Sequence, residues 1–405
     1  MSVFSQINKA CVIVPLSMVL LAAISGTCRA EELLGDTIKP FVSISETYDS
    51  NIFRVKDQNQ LKIQIGDDQL SDFITVVSLG TEVNYQASGQ SLNLLLKHDF
   101  LQYIHYTSQN VSQDMISGNL ALSVLDKIKL NLKGDYALTP VPRSDYVSSS
   151  GVNEQQTMSI ETTIGYEMVD GIGFSASYRR NNLEYSLPQY RTSDYATDLY
   201  SGRVSYQISP DTSLFGSLQR EYLNYSSGPS LTRNNYVADS ILIGINRIVG
   251  AITTVSGYLG YLERRYNPAA GRNFGGLISL LAINYELTPS FTLRLYGERQ
   301  LYEETYTNRI YSVSNALGAG LTYQVSNNVK ASVFEKYTWK SFKDVPNSGV
   351  AGRSDQLNDL SAALYWDPLL RLSVSLGYQF STRDSDEVIN NFSAHSIRSS
   401  ISYRY

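Results

Sequence analysis

Apolar and polar side chains alternate along most of this chain with a period of two. In the segment 73–85 most odd positions are apolar, whereas Glu82 and Asn84 lie between them, and the segment 311–325 repeats this arrangement. Because successive side chains of a β-strand point to opposite faces, each segment predicts a strand with one apolar and one polar face. The polar positions carry Ser, Gly, Asn and Gln with scattered charges, which is typical of a wet interior rather than the surface of a soluble sandwich.

About eighteen such segments follow one another, and most are roughly double the ~5–6 residues usual for strands of soluble proteins. Their length suits strands that cross a membrane at a tilt with ~9–11 residues and extend beyond it. The segments begin near Pro40, Phe73, Ser91, Met115, Ile128, Thr157, Ile172, Asp198, Thr212, Tyr236, Ala251, Phe274, Phe291, Tyr311, Val329, Leu357, Leu369 and Phe392.

The connections alternate between short turns and longer polar stretches, of which the first is 50–72. Short periplasmic turns and longer outer loops are the arrangement of outer-membrane barrels, and they predict an even strand count with both termini on the periplasmic side. The short turns are expected at Ser88-Gly89, Asp126-Lys127, Asp170-Gly171, Pro210-Asp211, Val249-Gly250, Pro289-Ser290, Asn327-Asn328 and Asp367-Pro368.

We therefore predict an all-β fold, a closed antiparallel transmembrane β-barrel of about 18 strands, with about 16 as the alternative. Closure follows from the solvent, because lipid offers no partner to free backbone N–H and C=O groups and an open edge would expose a row of them. A barrel of this size is too wide for side chains to fill, and it encloses an aqueous passage.

The first thirty residues have the pattern of a secretory signal peptide. Lys9 gives a positive start, the segment 11–23 is apolar, and small residues precede a cleavage site after Ala30. The predicted domains are a signal peptide over 1–30 and an outer-membrane β-barrel over 31–405. The alternatives are an uncleaved inner-membrane anchor, for which the apolar run is short, and a lipoprotein acylated at Cys28.

Composition after cleavage narrows the function classes. Both cysteines, Cys11 and Cys28, lie in the leader, so the barrel is expected to have no disulfide and no thiolate metal site. Loss of Lys9 and Arg29 makes the formal net charge, −5 for the whole chain, more negative still, which argues against a nucleic-acid partner. Tyr is abundant, with 30 residues against 13 Phe and 2 Trp, and it suits a water–lipid boundary or a sugar-binding lumen.

Tyrosines recur two to five positions before the expected short turns. In a barrel they form a ring at one height, which predicts the periplasmic aromatic girdle. The alternative is that Tyr simply has a high β propensity, but the fixed distance to the turn favours the girdle. Its predicted members are Tyr85, Tyr166, Tyr206, Tyr285, Tyr323 and Tyr365.

The chain ends on an alternating segment in which Tyr403 and Tyr405 are aromatic. This end is similar to the terminal strand that outer-membrane barrels present to their assembly machinery. We therefore predict an assembly signal at these two residues.

Charged side chains at the polar positions are candidates to line the lumen. One interpretation is that they pair across strands and keep the wall wet. The other is a selectivity field or a polyanion path with Arg as the hydrogen-bonding element, and the mixed signs argue against strong ion selectivity. The inward candidates are Glu82, Lys97, Asp99, Lys129, Lys133, Glu161, Glu167, Arg179, Arg203, Arg247, Arg294, Glu298, Arg371, Arg398 and Arg404.

Two inward aromatic side chains, Tyr296 and Phe334, are candidate stacking platforms for sugar rings. The strand that contains Phe334 resists assignment, because Glu335 faces lipid in one phase and Lys336 lies close to lipid in the other. A β-bulge would resolve the conflict. The loop 50–72 is the best candidate for partial occlusion of the lumen.

The sequence offers no catalytic set and no metal-binding spacing, so we expect neither an enzyme nor a cofactor. There are only 3 His residues, and His98 and His105 are separated by an odd number of positions, which puts them on opposite faces of one strand. No Ser–His–Asp arrangement can be assembled from them.

The mature chain opens with Pro40-Phe-Val-Ser-Ile-Ser-Glu-Thr-Tyr48-Asp-Ser-Asn51-Ile-Phe-Arg54, and Asp72-Phe-Ile-Thr follows the first loop. This stretch resembles the first strands of a family of outer-membrane β-barrel porins (beta-barrel porin 2-like) found with exopolysaccharide synthesis and export systems. The resemblance implies a role in polysaccharide secretion or permeability and implies no catalytic residues. For Asp49 and Asn51 themselves, a turn-forming role is the expectation.

The leading hypothesis is thus a porin-like barrel of the bacterial outer membrane that serves exopolysaccharide export. The alternatives are a general or solute-specific diffusion porin and a structural or adhesive barrel without transport. Expected partners are outer-membrane lipid and lipopolysaccharide, the barrel-assembly machinery, and polysaccharide with periplasmic export components.

Overall fold

The computed structural model describes residues 37–124, 127–141, 152–168, 171–226, 235–249, 253–267, 271–304, 309–345 and 352–405. Within these residues the chain forms one sheet of 18 strands, in which each strand pairs with the next along the chain. The predicted signal peptide lies outside the described residues and stays a prediction. The all-β fold and the strand count of 18 are confirmed.

The strands are β1 Ile38–Asp49, β2 Asp72–Ala87, β3 Gln90–Tyr103, β4 Val111–Val124, β5 Ile128–Pro140, β6 Glu154–Glu167, β7 Ile172–Tyr185, β8 Tyr195–Ser209, β9 Thr212–Tyr225, β10 Tyr236–Val249, β11 Thr253–Tyr266, β12 Phe274–Thr288, β13 Phe291–Glu303, β14 Arg309–Ser326, β15 Val329–Asp344, β16 Ser354–Leu369, β17 Leu372–Ser385 and β18 Phe392–Arg404. Short 3₁₀ turns lie at Thr107–Gln109, Pro188–Ser193 and Val388–Asn390. The single α-helix of the described part, α1, spans Gln58–Ile65.

The sheet closes on itself because β1 pairs with both β2 and β18. The β1–β18 seam runs antiparallel from Phe41 opposite Arg404 to Asp49 opposite Ser396. Neighbouring strands are antiparallel throughout, so the first and last strands have their termini at the same end of the barrel. The described short turns lie at that end, and Ser88-Gly89 forms one of them with φ angles of 47° and 79°, which suit a two-residue hairpin turn. The predicted turn residues Asp126, Asp170 and Gly250 lie outside the described residues.

The register assigns every strand an outer and an inner face. On β1 and β2, Val42 faces Leu79 across the strands and Ile44 faces Val77, and these apolar side chains are on the outside. Ile44 is 49% exposed, although it is an isoleucine. The alternate positions, such as Ser43 and Ser78, point inward. A broad apolar exterior and a polar interior are what a barrel in lipid requires.

The loop between β1 and β2 folds into a small cap. The Asp57 side chain accepts from the Gln60 amide at the start of α1, and Gly66 ends the helix in the left-handed region. Leu61 is fully buried in a cluster with Phe53 and other apolar side chains. This cluster packs on Ile74 and Tyr103, which are inward positions of β2 and β3. The loop therefore covers one sector of the mouth, and α1 is too short and too polar to cross a membrane.

A second sector of the mouth is covered by a tyrosine cluster. Its buried members are Leu223, Tyr225, Tyr236, Ala238, Tyr266, Ile310, Tyr311 and Val345. The pairing of β12 with β13 reaches only Ser279 opposite Arg299, so the two strands separate above this point. Beyond it, Tyr311 stacks on Tyr266 with 6.1 Å between ring centroids. Because Tyr266 is an inward position of β11, the free end of the β13–β14 hairpin leans inside the wall.

Strand β15 resolves the phase conflict of the sequence without the expected bulge. Its pairing with β14 is regular from Lys330 to Lys343, and the pairing places Phe334 inward opposite Gly320. Glu335 consequently lies on the outer face beside Ala319 and Leu360. The physical reason is the inner wall: the Phe334 ring lies flat over the glycines of β14, so the strand keeps this phase although a carboxylate faces outward.

Candidate functional site

The inner wall of the barrel holds nearly all the charged side chains that the alternation assigned to it. The register places inward Glu82, Lys97, Asp99, Lys129, Lys133, Glu161, Glu167, Arg179, Arg203, Arg294, Tyr296, Glu298, Phe334, Arg398 and Arg404. Whether these residues act on a solute stays a prediction. Their common face is a matter of geometry.

Arg247 is a correction, because the register places it on the outer face of β10. It shares that face with Ile241 and Ile243, which are 54% and 70% exposed. The sequence misled here because Leu242 and Ile248 make the inner face of β10 apolar too. Arg247 lies close to the short turn, where its long side chain can reach water at the membrane edge.

Arg371 is not part of the wall either, because it lies in the turn between β16 and β17. Its guanidinium is 4.7 Å from the centre of the Tyr405 ring. The Tyr405 amide donates to Pro40 of β1, so this contact sits at the seam of the barrel. Tyr403 is on the outer face of β18. The assembly role of Tyr403 and Tyr405 stays a prediction.

Five of the six girdle tyrosines are on the outer face near the short turns, and the sixth is a correction. Tyr85, Tyr166, Tyr206, Tyr285 and Tyr323 point outward and are well exposed. Tyr365 points inward opposite Lys330 and Ser375, while Trp366 takes the outer position. The distance to the turn alone does not fix the face, and the larger indole occupies the lipid interface that suits it.

Ion pairs neutralise much of the charge on the wall. Arg179 contacts Glu161 at 2.6 Å and Lys97 contacts Asp99 at 2.8 Å. Lys129 pairs with Glu167 at 2.5 Å, and Arg404 pairs with Glu82 at 3.1 Å across the β2–β1–β18 seam. Three of these pairs cross between strands and one lies along β3, and together they keep the wall hydrated without creating a strong field of one sign.

A second group of inward cations has no carboxylate within ion-pairing distance among the described residues. The group comprises Lys39, Lys133, Arg203, Arg294, Lys330, Lys336 and Arg398. Arg398 donates instead to the Ser45 hydroxyl at 3.0 Å. The inward carboxylates without an ion pair are mostly held by hydroxyls. Asp135 accepts from Ser117 and Asp359 accepts from Ser381 at 2.6 and 2.7 Å.

Several aromatic rings lie flat on the inner wall, each over glycines of the adjacent strand. A Cβ atom added at Gly318 or Gly320 would lie 2.7 Å from the ring of Phe334. A Cβ atom at Gly244 would likewise collide with the ring of Phe215. Only glycine permits these flat ring positions, because any side chain would occupy the same space. The rings therefore present one face to the lumen.

Several cations without a carboxylate lie over such rings. The guanidinium of Arg294 is 5.0 Å from the centre of the Phe334 ring, and that of Arg203 is 3.4 Å from Phe215. The Lys336 ammonium is 5.9 Å from the Tyr296 ring, and the Lys330 ammonium is 4.9 Å from the Tyr365 ring. These are the separations of cation–π contacts.

Lys330 and Tyr365 also line a recess of about 260 Å³ at the short-turn end of the lumen. Its other walls include Ser375 and Ser400, whose hydroxyls are 2.7 Å apart, and Ser373, which donates to Asp367 at 2.6 Å. The recess thus combines one cation, one ring face and several hydroxyl groups, which are groups that can hold a small polar solute.

The opening motif of the chain forms a closed structural turn at the loop end of β1. Asp49 pairs with Arg54 at 2.7 Å and accepts from the Asn51 amide at 2.9 Å. The Asn51 side chain donates to Val55 and to Ser393 of β18. Arg54 has a φ angle of 55°, so the chain turns sharply there. The motif therefore anchors the first loop to the seam, as its turn-forming residues predict.

The histidines form no catalytic or metal centre within the described ranges. His98 is on the outer face of β3, where its Nδ1 is 2.6 Å from Asp114. His105 lies beyond β3 in the mouth, 3.0 Å from Asp67. The Gln69 amide and His105 hold the pKa of the Asp67 carboxyl below its usual value. The described residues contain no cluster of three His, Cys, Asp or Glu side chains fit for a metal ion.

Sequence reasoning missed Lys330, Lys336 and Tyr365 as residues of the wall. The two lysines lie on β15. The orientation of this strand was ambiguous in the sequence, because Glu335 lies on the same face as the apolar residues Ala331 and Val333. The signal was present in Phe334, since the two even-numbered lysines share its face. Tyr365 was missed because its distance from the short turn assigned it to the outward-facing girdle.

A comparison with known protein families finds a match over nearly the whole chain. A family model described as "Putative beta-barrel porin 2" matches residues 35–405. No functionally curated protein is detectably similar in sequence. Similar solved structures include the outer membrane protein opdK from Pseudomonas aeruginosa, with 11% identity, a TM-score of 0.47 and coverage of 91% of this chain and 99% of that one. OccAB3 from Acinetobacter baumannii has 10% identity and a TM-score of 0.48, with coverage of 92% and 99%. OccK2 (OpdF) from Pseudomonas aeruginosa has 10% identity and a TM-score of 0.49, with coverage of 91% and 98%.

Proposed function

We infer the function from the premise that this chain belongs to the beta-barrel porin 2 family, whose model covers nearly the whole of it. The chain is accordingly a porin-type barrel of the bacterial outer membrane and not an enzyme. We propose that its lumen is a diffusion path for small polar solutes with weak ion selectivity.

One observation carries this proposal, namely the inner face that is polar along a closed cylinder of 18 strands. Strands ~4.8 Å apart and tilted by ~40° enclose a cylinder roughly 35 Å across between backbones. Side chains of ordinary size cannot fill that width. The cap around α1 and the tyrosine cluster narrow the mouth from two sectors. Between these two covers and the short-turn end, the inner wall is polar and can contact hydrated solutes.

Weak ion selectivity follows from the pairing of the wall charges. Several inward cations, such as Arg179 and Lys97, already have carboxylate partners, and the wall that carries the others also carries inward carboxylates such as Asp135, Asp359 and Glu298. Because the signs are interspersed, the field inside the lumen favours neither anions nor cations strongly.

Planar-bilayer recording of the purified protein tests the proposal. We expect stepwise ion current whose reversal potential in a salt gradient stays far from the Nernst limit of either ion. The chain after residue 30 has no cysteine, so single reporters can be introduced. A Gln219→Cys variant places a thiol on the inner face of β9, and a bulky charged methanethiosulfonate reagent should then reduce the current.

Leu218→Cys is the matched control, because Leu218 is the neighbouring residue on the outer face and is 64% exposed there. The reagent should leave its current unchanged. Absence of current above the lipid baseline would overturn the diffusion path. Equal inhibition of both variants would show that the thiol does not report on the lumen wall.

Polysaccharide export is the second candidate function, and the aromatic rings on the inner wall of the lumen favour it. Ring faces such as those of Phe334 and Tyr296 suit stacking against sugar rings. The opening motif that carried the resemblance to export-associated porins is engaged in anchoring the first loop, so it adds no recognition surface. Deletion of the gene discriminates the candidates: loss of secreted polysaccharide supports export, whereas a growth defect on a particular nutrient with normal secretion supports uptake.

A further inference from the structure

Three cation–ring pairs lie side by side on the inner face of β13–β16. They are Lys330 with Tyr365, Arg294 with Phe334, and Lys336 with Tyr296. We call these six residues the cation–ring track. It runs from the recess at the short-turn end towards the middle of the lumen, and from Lys330 to Lys336 it rises about 20 Å along β15.

At its inner end the track is a continuous surface, because β14, its central strand, has glycine at the two inward positions Gly318 and Gly320. Gly318 faces Tyr296 on one side and Lys336 on the other, and Gly320 faces Arg294 and Phe334. The Phe334 ring lies across both glycines and reaches the guanidinium of Arg294 on β13. A solute moving along β14 would therefore pass between cations while touching ring faces.

The cations of the track are available to a solute carboxylate. Among the described residues none of the three has an ion-pair partner. Asp359 is the cross-strand neighbour of Lys336, yet its carboxylate accepts from Ser381 at 2.7 Å instead. Glu298 is held by hydroxyl donors from Tyr296 and Tyr302. These hydroxyls satisfy the carboxylates, which form no ion pair with the cations of the track.

Hydroxyl groups separate the pairs of the track. Thr322 and Ser332 face each other across β14 and β15 between the Lys330 and Phe334 levels. The recess adds the hydroxyls of Ser373, Ser375 and Ser400. A ring solute with its own hydroxyls can hydrogen-bond here, whereas an aromatic acid would leave these groups unused and an inorganic anion would leave the ring faces unused.

We propose that the cation–ring track binds sugar acids, meaning pyranose rings that carry a carboxylate, either as monosaccharides or as units of an acidic polysaccharide. The proposal rests on the proposed diffusion path for its physiological meaning, because the track lies in that lumen. The ring stacks on Tyr365 or Phe334, the carboxylate pairs with Lys330 or Arg294, and the ring hydroxyls meet Ser375 and its neighbours.

Binding is tested on the purified full-length protein in detergent by saturation-transfer NMR, a readout that does not depend on ion current. The probes are D-galacturonate and D-galactose, which differ at the carboxylate. We expect galacturonate to bind with a dissociation constant about tenfold lower or more, since a hydrogen bond to a charged group contributes at least that factor. Equal binding of the two sugars would overturn the proposal.

Variants then locate the site. Lys330→Gln should weaken galacturonate binding about tenfold or more, and Phe334→Leu should weaken it about two- to fivefold through loss of the ring face. Lys133→Gln removes a lumen cation that lies over no aromatic ring among the described residues. Phe41→Leu removes a ring that covers Gly80 and whose neighbouring cation Arg404 is already paired. Both controls should bind as the native chain does, and equal weakening in controls and track variants would also overturn the proposal.

A trimer of galacturonate separates the two sources of the ligand. Binding much tighter than that of the monomer would assign the track to chains, and similar binding would assign it to monosaccharides. Recording in planar bilayers keeps the two levels of inference apart. Ion current together with equal binding of galacturonate and galactose would support the diffusion path and overturn the track as a binding site. Preferential binding of galacturonate without ion current would support the binding site and overturn the diffusion path.

Discussion

At the scale of single residues, the most demanding contacts lie at the loop end of β16 and β17. The carboxylate of Asp355 is 1% exposed and accepts from Arg353 at 2.7 and 2.5 Å, while Nε of Arg383 lies 3.7 Å away. Arg309 on β14 pairs with Asp344 at 2.8 Å and with Glu387 at 2.6 Å. Buried charges persist only when each is matched, so this network ties four strands and the last loop into one geometry.

Removal of the central carboxylate should therefore be costly. Asp355→Asn leaves the buried Arg353 guanidinium with only the longer contact to Glu387, at 3.8 Å, and we expect a loss of about 3–5 kcal/mol in the free energy of unfolding. Asp359→Asn, at the second inward position beyond Asp355, replaces the charged acceptor of the Ser381 hydrogen bond by a neutral one and should cost only about 1 kcal/mol. Urea unfolding in lipid vesicles, followed by the fluorescence of Trp339 and Trp366, measures both. Similar losses in the two variants would contradict the role of the network.

At the scale of elements, β14 shows how an inner face is built to accept neighbouring side chains. Five successive inward positions of this strand carry small residues, namely Ser312, Ser314, Ala316, Gly318 and Gly320. Small residues there do not help the strand to form, since glycine weakens strands. Gly318 and Gly320 are explained by the Phe334 ring that lies over them, and the same packing holds β15 in the phase that turns Glu335 outward.

A substitution at Gly318 tests this packing. In Gly318→Ala the new methyl group would meet the Phe334 ring at 2.7 Å, and we expect a destabilisation of about 1–3 kcal/mol. Phe334→Ala in the same chain should relieve most of that cost, giving a coupling energy in a double-mutant cycle. Gly202→Ala is the control, because nothing lies within 4 Å of its added Cβ. Additive effects of Gly318→Ala and Phe334→Ala would show that the ring does not depend on this glycine.

At the scale of the whole molecule, the seam between β1 and β18 decides whether the sheet is a barrel. The loop end of the seam is held by Asn51, which donates to Ser393, and by the Ser50 amide, which donates to His395. The other end is held by the Tyr405 amide on Pro40. Both ends of the seam therefore have backbone partners, as an edge in lipid requires.

Cysteine pairs across the seam test its closure and its register together. Ser43 and Ser402 are directly opposite and both point inward, so Ser43→Cys with Ser402→Cys should form a disulfide under mild oxidation. Ser43→Cys with Ser396→Cys, which lies opposite Asp49, should not. The cross-link is read as a change in gel mobility that a reductant reverses. Cross-linking of the second pair, or of neither, would contradict this seam.

The alternation of side chains determined the fold by itself, because a period of two leaves each strand one apolar and one polar face and lipid then forces the sheet to close. Ser88-Gly89 and the girdle tyrosines such as Tyr85 could be read from local chemistry for the same reason. The orientations of Tyr365, Arg247 and Glu335 could not be predicted in this way. Where both faces of a strand carry apolar side chains, neither the distance to a turn nor a single charged residue determines which face points inward.

Tertiary structure alone decided which inward charges keep a partner. Arg404 contacts Glu82 only because the seam brings the two ends of the sheet together across β1. Arg294 contacts Phe334 only because β14, which lies between their strands, has glycine beneath the ring. Contacts of this kind depend on register and on segments far apart in the chain. The wall of the lumen was therefore present in the sequence as a list of polar positions, and the cation–ring track arose from their placement in space.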